Sequence, residues 1–84
     1  MESYSKSDIF HLLIDRLQYT FPALHLQVHD DELILLSDSE RVYISLDKDK
    51  TPIVASDHHH SYIVNAVMDE VRYTYNNFIN EINI

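Results

Sequence analysis

The sequence predicts an α+β fold with the element order α-β-β-β-α, a small three-stranded antiparallel meander with two helices packed on one of its faces. Two patterns predict it. Apolar residues recur at helical spacing near both ends of the chain, and in its middle they alternate with polar residues. The length of 84 residues suits one hydrophobic core. We therefore expect a single α+β domain over residues 1–84.

The first helix is expected over residues 5–19. Ser5 or Ser7 can cap its N-terminus, because a serine hydroxyl accepts a hydrogen bond from the free N–H groups of the first turn. Pro22 disfavours a helical backbone at the residue before it, so the helix should end near Thr20. Its apolar stripe consists of Ile9, Phe10, Leu13, Ile14 and Leu17.

Strands and turns alternate in the middle of the chain: strands at 24–29, 33–36 and 42–46, and turns at Asp30-Asp31 and Asp38-Ser39. The chain has no glycine, so we expect aspartate to supply the left-handed backbone that tight hairpins need. Two-residue turns set the register, which pairs Val28 with Leu33, Leu26 with Leu35, Leu33 with Ile44, and Leu35 with Val42 on the helix-facing side. Beyond a charged loop at 47–52, residues 53–55 are a candidate for a short fourth strand at the sheet edge.

A second helix is expected over residues 57–83, with Asp57 as its N-cap. It would be about 40 Å long, against a diameter of roughly 30 Å for a globule of this size. The helix should therefore overhang or break, and Asn76-Asn77 is its weakest point in helix propensity. Apolar residues near its end exceed what one buried stripe needs and are candidates for self-association in a homodimer: Tyr75, Phe78, Ile79 and Ile82.

The composition excludes several classes of function. Six basic residues against 14 acidic ones give a net charge of −8 without a basic stripe, so direct binding to nucleic acid is not expected. Without cysteine or glycine, thiol chemistry, glycine-rich phosphate loops and nucleophile elbows are absent. We therefore expect no cofactor and no enzymatic activity. The chain has neither a membrane-spanning apolar run nor a signal-peptide pattern, so we expect no membrane contact and a cytoplasmic location.

Histidine is frequent, with six residues, but its spacing does not predict a metal site. Consecutive helical residues point about 100° apart, so His58, His59 and His60 would not converge on one ion. His25 and His29 would lie about 13 Å apart along a strand. We expect no bound metal, and the sequence indicates no role for the run of three histidines.

Most of the acidic excess falls on the predicted turns. Carboxylates held outward together would attract a basic surface and mimic the phosphates of a nucleic acid. The alternative is that they are ordinary solvated turn residues, because aspartate favours turns. The predicted acidic partner-binding residues are Asp30, Asp31, Glu32, Asp38, Glu40, Asp47 and Asp49.

The same register puts Ile34, Leu36 and Tyr43 on the sheet face away from the helices, beside His25 and Gln27. A group of apolar side chains on such a face is typical of a surface that binds a partner or a second copy. The alternative is that they are scattered surface residues, or that the loop at 47–52 covers them.

Two hypotheses of function follow from these two surfaces. The first is a small acidic inhibitor or decoy that blocks a basic, nucleic-acid-binding site on a partner protein. In size and composition the chain resembles phage anti-defence proteins, such as anti-CRISPR and anti-restriction proteins, which are short, acidic, cysteine-free and mixed α/β. The alternative is an adaptor, chaperone or immunity-type protein that binds through the apolar face. Type III secretion chaperones, although usually longer, are similar in being acidic proteins with helices and a sheet.

Overall fold

The structure of the protein, a computed structural model, describes residues 4–57 and 61–82. Its elements are α1 (Lys6–Thr20), β1 (His25–Val28), β2 (Glu32–Leu36), β3 (Arg41–Leu46), β4 (Pro52–Ser56) and α2 (Tyr62–Ile82). The strands form one antiparallel sheet in the order β1-β2-β3-β4. The predicted α+β class is confirmed. The candidate fourth strand is present at the sheet edge and extends one residue further at each end than expected.

The predicted register of the meander is confirmed: Val28 pairs with Leu33, Leu26 with Leu35, Leu33 with Ile44, and Leu35 with Val42. The first hairpin is closed by a hydrogen bond of 2.9 Å from the His29 N–H to the Glu32 carbonyl. The second is closed by one of 3.0 Å from the Ser37 N–H to the Glu40 carbonyl. Both turns therefore contain two residues, and this length keeps every apolar strand residue on its expected face.

The expectation that aspartate would supply left-handed backbone in these turns is wrong. Among the described residues, only Lys50 has a positive φ, of 66°. It lies in the connection from β3 to β4, where the Lys50 N–H donates to the Asp47 carbonyl and the Asp47 N–H donates to the Thr51 carbonyl. This three-residue loop needs a left-handed residue at its last position, usually glycine. In a chain without glycine, a lysine occupies it.

Both helices pack on the same face of the sheet. The core residues are at most 4% exposed: Ile9, Leu13, Leu17, Leu33, Leu35, Val42, Ile44, Val64, Val67 and Val71. Those from the sheet all come from the side that the register assigns to the helices. The opposite side, which we call the outer face, contributes none of them.

The N-terminus of α1 is fixed by a reciprocal pair of hydrogen bonds. The Ser5 hydroxyl accepts from the Asp8 N–H, and the Asp8 carboxylate accepts from the Ser5 N–H. Of the two expected caps, the structure therefore uses Ser5. The helix ends at Thr20, as the position of Pro22 predicts.

The expected start of the second helix at Asp57 is wrong, because α2 begins at Tyr62. The Ser61 hydroxyl accepts hydrogen bonds from the N–H groups of Ile63 and Val64 and so performs the capping role. The three consecutive histidines at 58–60, expected at the helix start, lie outside the described residues, as does the expected end at residue 83.

Helix α2 is continuous through Asn76 and Asn77, so it does not break at its weakest point. With 21 residues it is about 31 Å long. The molecule measures 41 × 22 × 21 Å, and its elongated shape accommodates the helix where a sphere would not.

Candidate functional site

The topology separates the predicted acidic residues into two groups. In a meander, the connection from β1 to β2 and the one from β3 to β4 lie at one end of the sheet, and the connection from β2 to β3 lies at the other. We call the end that holds the β1–β2 and β3–β4 connections the acidic end. Its carboxylates are Asp30, Asp31, Glu32, Asp47 and Asp49. Asp38 and Glu40 lie at the opposite end. The predicted acidic surface is therefore divided rather than continuous.

At the acidic end, Asp30 and Asp31 are exposed and Glu32 is partly buried. The turn that carries them is closed by backbone atoms, through His29 and Glu32, so its side chains are not needed to hold it. Within residues 4–57 and 61–82, no ion pair neutralises any of these three carboxylates. Three negative charges thus lie next to one another and remain available to a cation outside the chain.

The second turn at the acidic end uses one carboxylate internally. The Asp47 carboxylate accepts from the N–H groups of Asp49 and Thr51, at 2.8 and 3.0 Å, and so shapes the loop. Asp49 itself is exposed. Lys50 donates to the Tyr4 carbonyl at 2.9 Å, and its ammonium lies 4.8 Å from the centre of the Tyr4 ring. The loop is thereby attached to the segment before α1.

The charge at this end is negative but not extreme. The two turns, residues 29–32 and 47–51, carry five carboxylates and two lysines, which leaves −3 of the total of −8. The rest of the excess is spread over the helices, the opposite end and the N-terminus. The acidic end therefore carries less than half of the net negative charge, and what distinguishes it is that its carboxylates lie close together.

Glu40 differs from the other predicted acidic residues, because it is 9% exposed. Its carboxylate accepts a hydrogen bond from the Ser61 hydroxyl, the same group that caps α2. The Ser37 hydroxyl also accepts from the Glu40 N–H at 3.2 Å. Glu40 therefore connects the turn at Asp38-Ser39 to the start of α2 and does not contribute to an outward acidic surface. Asp38, two residues earlier, is exposed.

The outer face of the sheet brings together Ile34, Leu36 and Tyr43, as the register requires. Ile34 and Tyr43 are direct cross-strand partners. All three are partly buried, yet none belongs to the residues that pack against the core. Ile53, which the sequence did not single out, adds a side chain that is 47% exposed. Within the described chain, both helices lie on the other side of the sheet.

The residues predicted for self-association on α2 are largely used inside the molecule. Tyr75 and Phe78 pack against the core, and the Phe78 ring meets the Tyr4 ring edge to face at 5.2 Å between centres. Ile79 is partly buried and Ile82 is 37% exposed. The apolar excess at the end of α2 is thus explained in part by the segment before α1, which covers it.

A groove of about 770 Å³ between α1 and the acidic end was not predicted from the sequence. Its lining includes the titratable residues Lys6, His11, His29, Asp30 and Asp31. Its walls come from segments far apart in sequence, so no local pattern signals it. Across residues 4–57 and 61–82, no three histidine or acidic side chains are grouped closely enough to hold a metal ion.

None of the helices in the described part of the chain combines the length and the apolar character that crossing a membrane requires. No protein-family model matches the chain, and neither a curated protein nor a solved structure matches it.

Proposed function

We propose that this protein is a non-enzymatic binding module whose acidic end docks on a basic surface of a partner protein. The observation that carries the proposal is the group formed by Asp30, Asp31 and Glu32, which no cation of the described chain neutralises. Carboxylates on a rigid hairpin attract a cationic surface without the entropy cost of ordering a flexible tail.

The second acidic turn supports the same proposal. The two turns are separated by roughly 10 Å, from the usual spacing between strands. Asp49 thus adds its exposed carboxylate at a second point of the same end. Two negative groups held at a fixed separation suit a basic groove that normally holds the phosphates of a nucleic acid, and occupying that groove would block it.

The finer proposal is that the protein acts as a cytoplasmic decoy of the anti-CRISPR or anti-restriction kind found in phages. It is supported by the small size, the net charge of −8, the absence of cysteine and the mixed α and β elements. Direct binding to nucleic acid is not part of the proposal, because a surface of this charge repels phosphates.

The test compares two triple variants with the same change in net charge. Asp30→Asn/Asp31→Asn/Glu32→Gln neutralises the turn, and Asp15→Asn/Asp69→Asn/Glu81→Gln neutralises three exposed helical carboxylates. Immobilised wild-type protein should capture a basic protein from an extract of the source cell. Salt and added nucleic acid should each release this captured protein. The turn variant should lose it and the helix variant should keep it. Equal loss from both, or loss from neither, would contradict the proposal.

A second candidate function is an adaptor, chaperone or immunity-type protein that binds through the outer face. The observation in its favour is the pairing of Ile34 with Tyr43 there, outside the core. Binding of this kind should persist at high salt, because apolar contacts are not screened. Tyr43→Asp should abolish it, and Asp30→Asn/Asp31→Asn, which changes no residue of the outer face, should leave it unchanged.

A further inference from the structure

We propose that an extended basic segment of the partner protein adds to the free edge of β1 as an antiparallel strand and places a lysine or arginine side chain in the groove between α1 and the acidic end. This inference rests on the proposed function and deepens it, because it names the kind of segment that reaches the carboxylates of the acidic end. The backbone of β1, the lining of the groove and the charge around the groove each favour such a segment.

The free edge of β1 offers backbone hydrogen-bonding groups to another strand. Among the described strands, β2 is the only partner of β1. The hydrogen bond from the His29 N–H to the Glu32 carbonyl closes the hairpin between them. Because hydrogen-bonded pairs alternate along antiparallel strands, Val28 and Leu26 turn their N–H and carbonyl groups away from β2. Both residues can therefore pair with a strand added at this edge.

This edge lacks the side chains that usually prevent an added strand. Exposed edges are often protected by proline or by charged residues. The sequence of β1, His-Leu-Gln-Val, contains no proline, acidic residue, lysine or arginine, and three of its four residues are exposed. The strand at the other edge, β4, begins with Pro52. Since β1 is short, its hydrogen bonds alone give weak binding, and an added strand needs further contacts beside it.

The groove of about 770 Å³ lies beside the end of this edge and supplies such contacts. Val28, which is 58% exposed, belongs to the helix-facing side of β1 and forms part of the groove wall. Phe10, Ile14 and Leu46 add apolar surface to it. In an antiparallel pair, residues that lie opposite each other project to the same side of the sheet. A residue paired with Val28 therefore projects on the side of the groove.

The groove suits a side chain with an apolar stem and a cationic end. The methylene groups of lysine or arginine can cover the apolar wall while the charged end reaches Asp30 and Asp31. Besides these two aspartates and two histidines, the lining contains one lysine, Lys6. Asp8, an exposed residue in the same turn of α1, offsets the charge of Lys6. The charge around the groove thus favours a cationic occupant.

The charges disfavour a second copy of this chain as the occupant. The net charge of the chain is −8, and the opposite end of the sheet is acidic as well, with Asp38 and Asp57 exposed near Arg41. Antiparallel pairing of two β1 strands would bring the acidic end of each copy towards the opposite end of the other. A basic segment is attracted to this edge, whereas a second copy is repelled from it.

Two isomeric peptides test the proposal on the unmodified protein. Both have the sequence Thr-Lys-Thr-Lys-Thr-Lys-Thr; one carries backbone N-methyl groups on its lysines, and the other carries the same number on its threonines. In the proposed pairing the lysine N–H groups face β1 and the threonine N–H groups face solvent. Lysine methylation should therefore weaken binding about tenfold relative to threonine methylation, because it removes the hydrogen bonds to the carbonyls of Leu26 and Val28. An NMR titration of the isotope-labelled protein at low salt measures both dissociation constants.

A matched pair of protein variants tests the groove. Val28→Lys adds a cation to the groove wall and should weaken binding of the threonine-methylated peptide about fivefold. Ile53→Lys makes the same charge change at an exposed strand residue of the outer face and should weaken it less than about twofold. Far-ultraviolet circular dichroism checks that both variants are folded.

The outcomes separate this inference from the proposed function. Equal binding of the two isomers, tighter binding of the lysine-methylated one, or equal effects of the two variants overturns the added strand and leaves the acidic end as a docking site. No binding of either peptide also overturns it, and a titration with oligolysine then decides whether the acidic end docks at all. A wild type that dimerises without peptide, and that Val28→Lys makes monomeric, assigns the edge to a second copy and overturns the inference.

Discussion

At the acidic end of the sheet, Asp30 and Asp31 project from a turn that backbone hydrogen bonds already close; at the opposite end, Glu40 follows a turn of the same length but is buried against Ser61. Both groups looked alike in the sequence, as acidic residues at hairpin turns. The difference shows that a carboxylate becomes a binding group or a structural group according to what the rest of the chain places beside it. Here Ser61, just before α2, contacts Glu40 at the opposite end and does not contact the acidic end.

The largest effect on stability is expected from Glu40→Ala. Removing this carboxylate leaves the Ser61 hydroxyl without its acceptor in a partly buried position, which should lower the free energy of unfolding by about 2 kcal/mol. Asp38→Ala, at an exposed position of the same turn, should change it by less than about 0.5 kcal/mol. Urea unfolding followed by circular dichroism measures both. Equal effects of the two variants would contradict the structural role assigned to the Glu40 carboxylate.

A double-mutant cycle sharpens the same contrast. Glu40→Ala and Ser61→Ala each remove the hydrogen bond between the two side chains, so their combination should be less destabilising than the sum by about 1 kcal/mol. Glu40→Ala combined with Asp30→Ala should be additive, because the residues lie at opposite ends. Additivity in both cycles would mean that Glu40 acts on stability through something other than Ser61.

Within the acidic end, Asp47 and Asp49 should also differ in their contribution to the free energy of unfolding. The Asp47 carboxylate accepts two backbone hydrogen bonds, so Asp47→Ala should destabilise the protein by about 1 kcal/mol. Asp49→Ala should have an effect below about 0.5 kcal/mol, because its side chain is exposed. The measurement is again the free energy of unfolding in urea. A larger loss for Asp49 would contradict the assignment of Asp47 as the turn-forming residue.

The smallest effect is expected from Lys50→Gly. Glycine removes the cost of about 1 kcal/mol that a left-handed backbone imposes on lysine. It also removes the contacts with the carbonyl and ring of Tyr4. These changes offset one another, so the net change should be within about 0.5 kcal/mol. Lys50→Ala keeps the cost and loses the contacts, and it should be clearly less stable than the glycine variant.

The strand register was predictable because it depends on local features, alternation in the strands and two-residue turns between them. The start of α2 was not, because Ser61 and Asp57 are both good caps and only the contact between Ser61 and Glu40 selects one. The burial of Glu40 could not be predicted either, because it depends on the same contact. Lys50 was missed because the left-handed position depends on loop length, and the sequence suggested a longer loop without a defined turn.

The positions of the candidate residues were predictable only in part. Ile34, Leu36 and Tyr43 follow from strand parity alone. The division of the acidic residues follows from the sheet order. A meander places alternate turns at opposite ends, so this division was predictable once that order was assumed. The contact between Tyr4 and Phe78 could not be predicted, because the two residues are far apart in sequence.

The most direct test of the central claim is an NMR titration of the isotope-labelled protein with a short oligolysine peptide at low salt. Binding at the acidic end should shift the backbone amide signals of residues 29–32 and 49–51 and leave those of 37–40 unchanged. The shifts at residues 29–32 should disappear in the triple turn variant. Shifts of equal size at both ends of the sheet, or spread over the acidic residues of α1 and α2, would contradict the account.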